Sequence, residues 1–325
     1  MQRADNRLRI NVQLVAAEAA NHLWAERFDK PLADLFDPQD EIVSRLADTL
    51  TAQLIAAEAQ RAERSPHPDS MDFYFQVKAL LNRSWTSEGL AQAIGFFERA
   101  LALDPSNIDA MVGLATVHLR VGSLYLADDR AAHLAVAETT LIGVLSVAPN
   151  HALAHHFLAY VLLSTNRAAQ AIAECERALA LNRNLADAHA AIGIAKLYMG
   201  RAAETEAHIN EALRFSPRDI FAFGWLTMVG FAKLQLTADD EAISWFLRAI
   251  EGNRNFPLAH LGLAAALALR GSLDQARAEA KAGLALNPSF TIRRLRATQL
   301  SDNPTYLAGR ERISEGLRMA GVPEG

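Results

Sequence analysis

The sequence predicts an all-α solenoid of about six helix–turn–helix repeats wound into a right-handed superhelix, preceded by a short N-terminal β-β-α segment. Three observations carry this. First, one phrase recurs. "ERALALDPSN", "IGVLSVAPNH", "ERALALNRNL", "NEALRFSPRD", "LRAIEGNRNF" and "KAGLALNPSF" align on Pro105, Pro149, Arg183, Pro217, Arg254 and Pro288. The anchors are spaced by 44, 34, 34, 37 and 34 residues, and a fixed period of about 20–50 residues marks stacked repeats. Second, small residues recur inside the units: Ala159, Ala171 and Ala178 in one, Gly193, Gly200 and Ala212 in the next. Small side chains at helix crossings let paired helices approach. Third, the chain is Ala-rich, with 17 Gly, 11 Pro and 7% aromatic residues in 325. That mix suits closely packed helices.

The elements follow in order. Leu8, Ile10, Val12 and Leu14 alternate with Arg7, Arg9, Asn11 and Gln13, the period of a half-buried strand. A second strand runs through "HLWAERFDK", and two strands alone are marginal in water. Asp37 is placed to cap a helix with Pro38 at its first position, and Asp40 and Glu41 suit the positive end of its dipole. Ile42, Leu46, Leu50 and Leu54 recur on one face of it. "SPHPDS", with two prolines, reads as a linker.

The expected organisation is therefore an α/β segment over residues 1–64, a linker over 65–71, six repeats over 72–288 and a helical cap over 289–325. The ten extra residues of the 44-residue gap are placed around "SLYLADDRAA" (123–132), between the helices of the second repeat, as an added helical turn or a longer inter-helix loop. The three extra residues of the 37-residue gap are placed near "QLTADD" (235–240). In the cap, one helix is expected over 291–300 and another over 304–319, with Tyr306, Ile313 and Leu317 inward, because a terminal unit must cover the last apolar face.

The six anchored units resemble the tetratricopeptide repeat family over residues 72–288. The front resembles a second family. "RLRINVQLV…HLWAERFDKPLADLFDPQDEIVSRLADTL", with "QDEI" (39–42) and the closing "EGLRMAGVPE" (315–324), is similar to the carboxyl-terminal third of the TolB-like α/β domain. That domain precedes tetratricopeptide arrays in many bacterial proteins. The turn "AAEAAN" departs from that family, which more often has Asp and Thr-Gly there. The resemblance implies that the opening strands are the tail of a larger domain. It also implies that the unit often follows a class III adenylate/guanylate cyclase domain or a winged-helix DNA-binding domain.

Composition narrows the function. A net charge of −5 and a pI near 6.1 argue against a nucleic-acid surface. Cys175 is the single cysteine, so no internal disulfide forms and a reducing, cytoplasmic location is expected. No apolar leader follows Met1, and no uninterrupted apolar stretch reaches membrane-spanning length. No catalytic constellation, Gly-rich phosphate loop or cofactor motif stands out, so the chain is read as non-enzymatic, without cofactor or metal. His151, His155 and His156 are the nearest approach to a metal cluster, and His155 falls where a repeat packs a large residue between helices. Cys175 falls on a core face, where a thiol is inert.

What remains is the concave face lined by the first helix of each repeat. By register it offers Phe75, Lys78, Asn82, Asp109, Val112, Leu119, His156, Tyr160, Leu163, Ile194, Tyr198, Met228 and Phe231. Such an apolar and aromatic row fits a partner's helix or extended peptide. Burial under tight superhelical curvature is the competing reading of the same row. Lys78 and Asn82 are similar to the first half of the clamp by which some tetratricopeptide proteins hold a C-terminal carboxylate. The later clamp positions hold Gly113, Leu153 and Phe157, which cannot donate. The expected function is a scaffold that binds a protein or peptide in the groove. The alternative is the regulatory region of a class III cyclase, or, less favoured, of a winged-helix regulator. A homodimer through the N-terminal strand edge is a further expectation.

Overall fold

The computed structural model describes residues 2–4, 7–15, 22–31, 54–63, 65, 68–83, 87–123, 129–217, 219 and 221–325. They fall into two compact units, Met1–Val121 and Gly122–Gly325. The division lies inside a helix of the second repeat rather than at residues 65–71.

The first unit opens on an antiparallel sheet of strands β1 (Gln2–Ala4), β2 (Arg7–Val15) and β3 (His22–Pro31), in the order β1-β2-β3. Arg7 lies opposite Pro31 and Leu14 opposite Trp24, with an irregularity between Leu14 and Val15. The sequence reading expected two strands; the third is the short β1, whose Gln2 lies opposite Arg9. The expected helix start from Asp37 to Leu50 lies outside the described residues. Residues 54–63 are helical (α1), and Leu54, expected on the apolar face, is 59% exposed while Ala59 and Ala62 are buried.

Helices α2 (Ser70–Arg83) and α3 (Ser87–Leu103) form the first repeat. Asp69 and Asp72 cap its start reciprocally, each side chain accepting from the other's backbone N–H at 2.8–3.0 Å, which satisfies donors the first turn leaves free. Arg61 of α1 donates to Asp72 at 3.2 Å, tying the two helices. In α4 (Ile108–Ser123), Gly113 faces the fully buried Phe97 of α3. A Cβ there would lie 2.2 Å from the ring, so only glycine fits.

The second unit continues with α5 (Arg130–Val147), α6 (Ala152–Ser164), α7 (Ala168–Leu181), α8 (Ala186–Tyr198), α9 (Thr205–Phe215), α10 (Ala222–Gln235), α11 (Asp239–Gly252), α12 (Pro257–Leu269) and α13 (Leu273–Leu286). These are four helix pairs and the second helix of another, each pair packed along its length. Turn geometry repeats. Asn166, Gly200, Thr237 and Gly271 each sit two residues past a first helix, all at positive φ (60°, 75°, 58° and 92°). The next residue's N–H then reaches back five positions, as from Arg167 to Leu162 O at 2.9 Å and from Ser272 to Leu267 O at 2.9 Å. This pairs the helix's last carbonyls.

The ten-residue insertion sits where the sequence places it; the three-residue one does not. Helices α4 and α5 have 16 and 18 residues where α6 and α7 have 13 and 14. The ten extra residues therefore lengthen both helices as well as their connection. The segment 235–240 carries no insertion: α10 and α11 are joined as α6 and α7 are. Instead α10 starts five residues after Pro217, where α6, α8 and α12 start three after their anchors. Two of the three extra residues belong to the turn ahead of α10, and the third lengthens α10 to 14 residues against 13 in α6, α8 and α12.

The core runs between the helix layers. Phe246 of α11 is fully buried between Gly230 of α10 and Gly262 of α12. Cβ atoms at those glycines would lie 2.6 and 2.3 Å from its ring. After Pro288, α14 (Ile292–Ala297) and α15 (Pro304–Met319) close the chain. Tyr306, Ile313 and Leu317 of α15 are buried.

One expectation from composition is corrected. By length and composition alone, α5 is long and apolar enough to cross a membrane: 18 residues, mean hydropathy 1.2, 22% of it buried. An uninterrupted apolar run was the wrong criterion, since Glu138 and two threonines interrupt a window that is apolar on average. Glu138 holds Arg167 of α7 through two bonds of 2.6 and 2.7 Å, which lowers its pKa. A helix charged and paired in this way is a component of the array.

Candidate interaction surface

The thirteen groove candidates separate by burial. In the first unit, Phe75 and Lys78 are half-buried and Asp109 is exposed, while Val112 and Leu119 are 5% and 3% exposed. Asn82 is helical, and its side chain lies outside the described residues. The Lys78 ammonium lies 5.4 Å from the centre of the Tyr74 ring, a cation–π distance. Burial pushes Lys78 down from its ordinary pKa and Asp109 opposes it. Burial, then Asp109, pushes Tyr74 up to about 12. The first unit thus offers a half-buried lysine among rings, with a carboxylate near.

In the second unit, Tyr160, Tyr198, Met228 and Phe231 are half-buried, whereas His156, Leu163 and Ile194 are 2%, 2% and 7% exposed. Five of the thirteen, Val112, Leu119, His156, Leu163 and Ile194, therefore support the surface from beneath. The physical reason is packing of neighbouring first helices against one another, as α6 with α8 and α8 with α10.

Under this row lies a polar hub. Asp187, in the first turn of α8, accepts from His156 Nε2 of α6 at 2.9 Å on one oxygen. Its other oxygen accepts from Tyr160 OH at 2.7 Å and from Trp225 Nε1 of α10 at 2.8 Å. One carboxylate so joins three consecutive repeats, and its donors are nearly or half buried. Bonds to an ionised acceptor are the stronger kind. Asp187 and Trp225 escaped the sequence reading, yet a signal was present. Asp187 stands four residues after Arg183 as Asp109 stands four after Pro105. Strict register would have found it.

Three histidines place ring nitrogens on structural partners. His151 Nδ1 accepts from Ala154 N as a helix cap at 3.1 Å. His155 bridges Glu174 at 2.6 Å and Pro149 O at 2.8 Å. His260 repeats that clasp three units later, with Glu279 at 2.7 Å and Arg254 O at 3.0 Å. The middle member, His189, instead stacks on Phe215 at 5.0 Å. Among the described residues no three His, Cys, Asp or Glu stand together as metal ligands would.

Cys175 is fully buried, and burial above all raises its pKa. A neutral aqueous thiol reagent should leave it unmodified in the folded chain and label it in full on unfolding. Labelling of the native chain at the rate of free cysteine would contradict this placement.

The far end of the row is not open. Tyr306 of α15 meets Tyr198 at 5.3 Å between ring centres, and packs with Leu197, Ala232 and Phe231. The chain's own C-terminal helix thus lies on the first helices of the last repeats.

Comparison with known proteins agrees with this architecture. Residues 152–185 match the tetratricopeptide repeat model. Helices α6 and α7 form one such repeat. Three solved structures share a helical-repeat fold with this chain. A human IFIT1 dimer with m7Gppp-AAAA is 17% identical, with a TM-score of 0.61 over 86% of this chain and 67% of that one. The Cut9–Hcn1 hetero-tetramer of the APC/C is 13% identical, TM-score 0.60, over 86% and 49%. A tetratricopeptide repeat protein from Parabacteroides merdae is 13% identical, TM-score 0.53, over 88% and 98%. These identities show the fold alone. A curated relative, putative adenylate cyclase 3 of Rhizobium meliloti (strain 1021), is 32% identical over 131 residues. The match spans 39% of this chain and 21% of the relative.

Proposed function

We propose that this chain is a non-enzymatic scaffold that binds a protein or peptide segment on the concave face of its repeats. The observation that supports it is the half-buried apolar and aromatic side chains that the first helices present: Tyr74 and Phe75 on α2, Phe157 and Tyr160 on α6, Met228 on α10. Burying such surface contributes about 25 cal/mol per Å², offset by the cost of ordering a peptide. Lys78 gives the first unit a cation for an acidic or carboxylate group of the partner. The rest of a carboxylate clamp is lacking, because Gly113 is filled by Phe97.

The test is a displayed peptide library selected on the whole chain. Peptides bound by the first unit should lose about tenfold or more in affinity on Phe75→Glu, and peptides bound by the second unit on Phe157→Glu, since interface anchors carry most of the binding energy. Leu247→Glu, on an exposed position of α11, should leave affinity unchanged. Equal loss in all three variants, or in none, would place binding elsewhere.

A second reading has its own support. The match to a putative adenylate cyclase favours a regulatory region of a class III cyclase, with the chemistry supplied by other sequence. The N-terminal strands then read as the tail of a TolB-like domain. The outer edge of β3, which pairs with no other strand among the described residues, would join the rest of that domain or a second copy of the chain. Reading the gene upstream of Met1 and beside it decides this: a cyclase domain in continuous frame or in an adjacent gene supports it, and the absence of both contradicts it.

A further inference from the structure

The next-repeat position after Pro288 is already taken. Helix α14 begins four residues past that anchor, close to where earlier first helices begin, with Phe290 and Ile292 buried. The chain end returns to it, Pro323 O accepting from Ile292 N at 3.0 Å and Glu324 O from Arg293 N at 2.9 Å. Helix α15 goes elsewhere. It lies on the first helices α10 and α12, and its N-terminal end meets the end of α8.

Its fit there is that of a ligand helix in a groove. The buried positions Tyr306, Gly309, Ile313, Gly316 and Leu317 fall on one face. Gly309 and Gly316 allow the close approach: Cβ atoms there would lie 2.4 Å from Gln235 of α10 and 2.6 Å from Ala265 O of α12. Tyr306 is the aromatic anchor. Arg312 is the polar one, holding both Asp239 oxygens at 2.8 and 2.7 Å and Leu234 O at 3.0 Å. An amphipathic helix whose apolar face lies in a groove, fixed by spaced anchors, is one of the recurring modes of peptide recognition.

We propose that the face of α8, α10 and α12 is a helix-binding groove which α15 occupies in cis, and that a partner's amphipathic helix with the same pattern engages it by replacing α15. This rests on the scaffold reading and names the partner's chemistry: an aromatic anchor, glycines three and ten residues on, and an arginine for Asp239. The face of the earlier repeats stays available to other ligands in either state.

The test uses the full chain and a labelled synthetic peptide of residues 299–325. The wild-type chain should bind the peptide weakly, because α15 competes for the groove in cis. The double variant Tyr306→Ala/Arg312→Ala, which loosens α15, should bind it more tightly. Unlabelled peptide should compete, and a Gly309→Leu peptide should bind about tenfold more weakly or worse, because the bulkier residue overpacks the contact with Gln235. Three results overturn the proposal. The double variant could stay folded and bind no peptide. The wild-type chain could bind as tightly as the variant, which places the peptide elsewhere. The variant could lose the helical signal of the whole second unit, which makes α15 integral core. Peptides from the library that depend on Phe75 report on the scaffold reading separately, so failure here leaves that reading standing.

Discussion

Asp187→Ala is expected to destabilise the second unit by about 3 kcal/mol, because it leaves His156, Tyr160 and Trp225 without their shared acceptor. Removing one member of a buried polar network costs more than the network's net worth, since the groups left behind stay desolvated. For a unit of this size that corresponds to a fall in Tm of roughly 6–12 °C. Asp187→Asn keeps one acceptor oxygen and should lose about half as much. Asp109→Ala, at the matching and exposed register position, should change stability by less than about 0.5 kcal/mol. Thermal unfolding followed by circular dichroism checks all three. Equal melting of Asp187→Ala and wild type would mean that the hub carries no stability.

Phe246→Ala is expected to cost about 3–5 kcal/mol, the cost of emptying a fully buried aromatic site. The partner glycines make a sharper prediction. Gly262→Ala alone should destabilise by about 1–3 kcal/mol, since its Cβ would lie 2.3 Å from the Phe246 ring. In the Phe246→Ala background the same methyl group fills part of the cavity, so it should be neutral or stabilising. A denaturant double-mutant cycle reads this as a coupling of opposite sign. Additive effects would show that ring and glycine do not share that space.

How much of this was legible beforehand depends on the physical origin of each feature. The helix pairs were legible because the anchors that end the second helices are local. Proline past the first turn cannot continue the backbone ladder, and Pro105, Pro149, Pro217 and Pro288 stand two residues beyond those ends. Insertions were harder to place. A count of residues between anchors fixes their number, while the turn that absorbs them is chosen by packing. Two of the three extra residues of the 37-residue unit lie ahead of α10, while the turn at Thr237 keeps the same left-handed geometry as Asn166 and Gly271.

The surface was only half legible. Register put Tyr160 and Met228 on the first helices, yet it could not tell a lining residue from a supporting one such as Ile194. That distinction depends on the neighbouring repeat's helix. The apolar sequence of α12, "PLAHLGLAAALAL", did hold a sign of what covers it, since a helix buried from Leu261 to Ala268 needs a neighbour on every side. The neighbour is α15, about 50 residues further on, and no local pattern links the two.

The most direct test of the central claim is hydrogen exchange on the full chain with and without a peptide selected from the library. Slowed exchange is expected on the first helices of the unit that binds, α2 in the first or α6 in the second, and unchanged exchange on their partners α3 and α7. Protection confined to the second helices, or to the N-terminal strands, would contradict it.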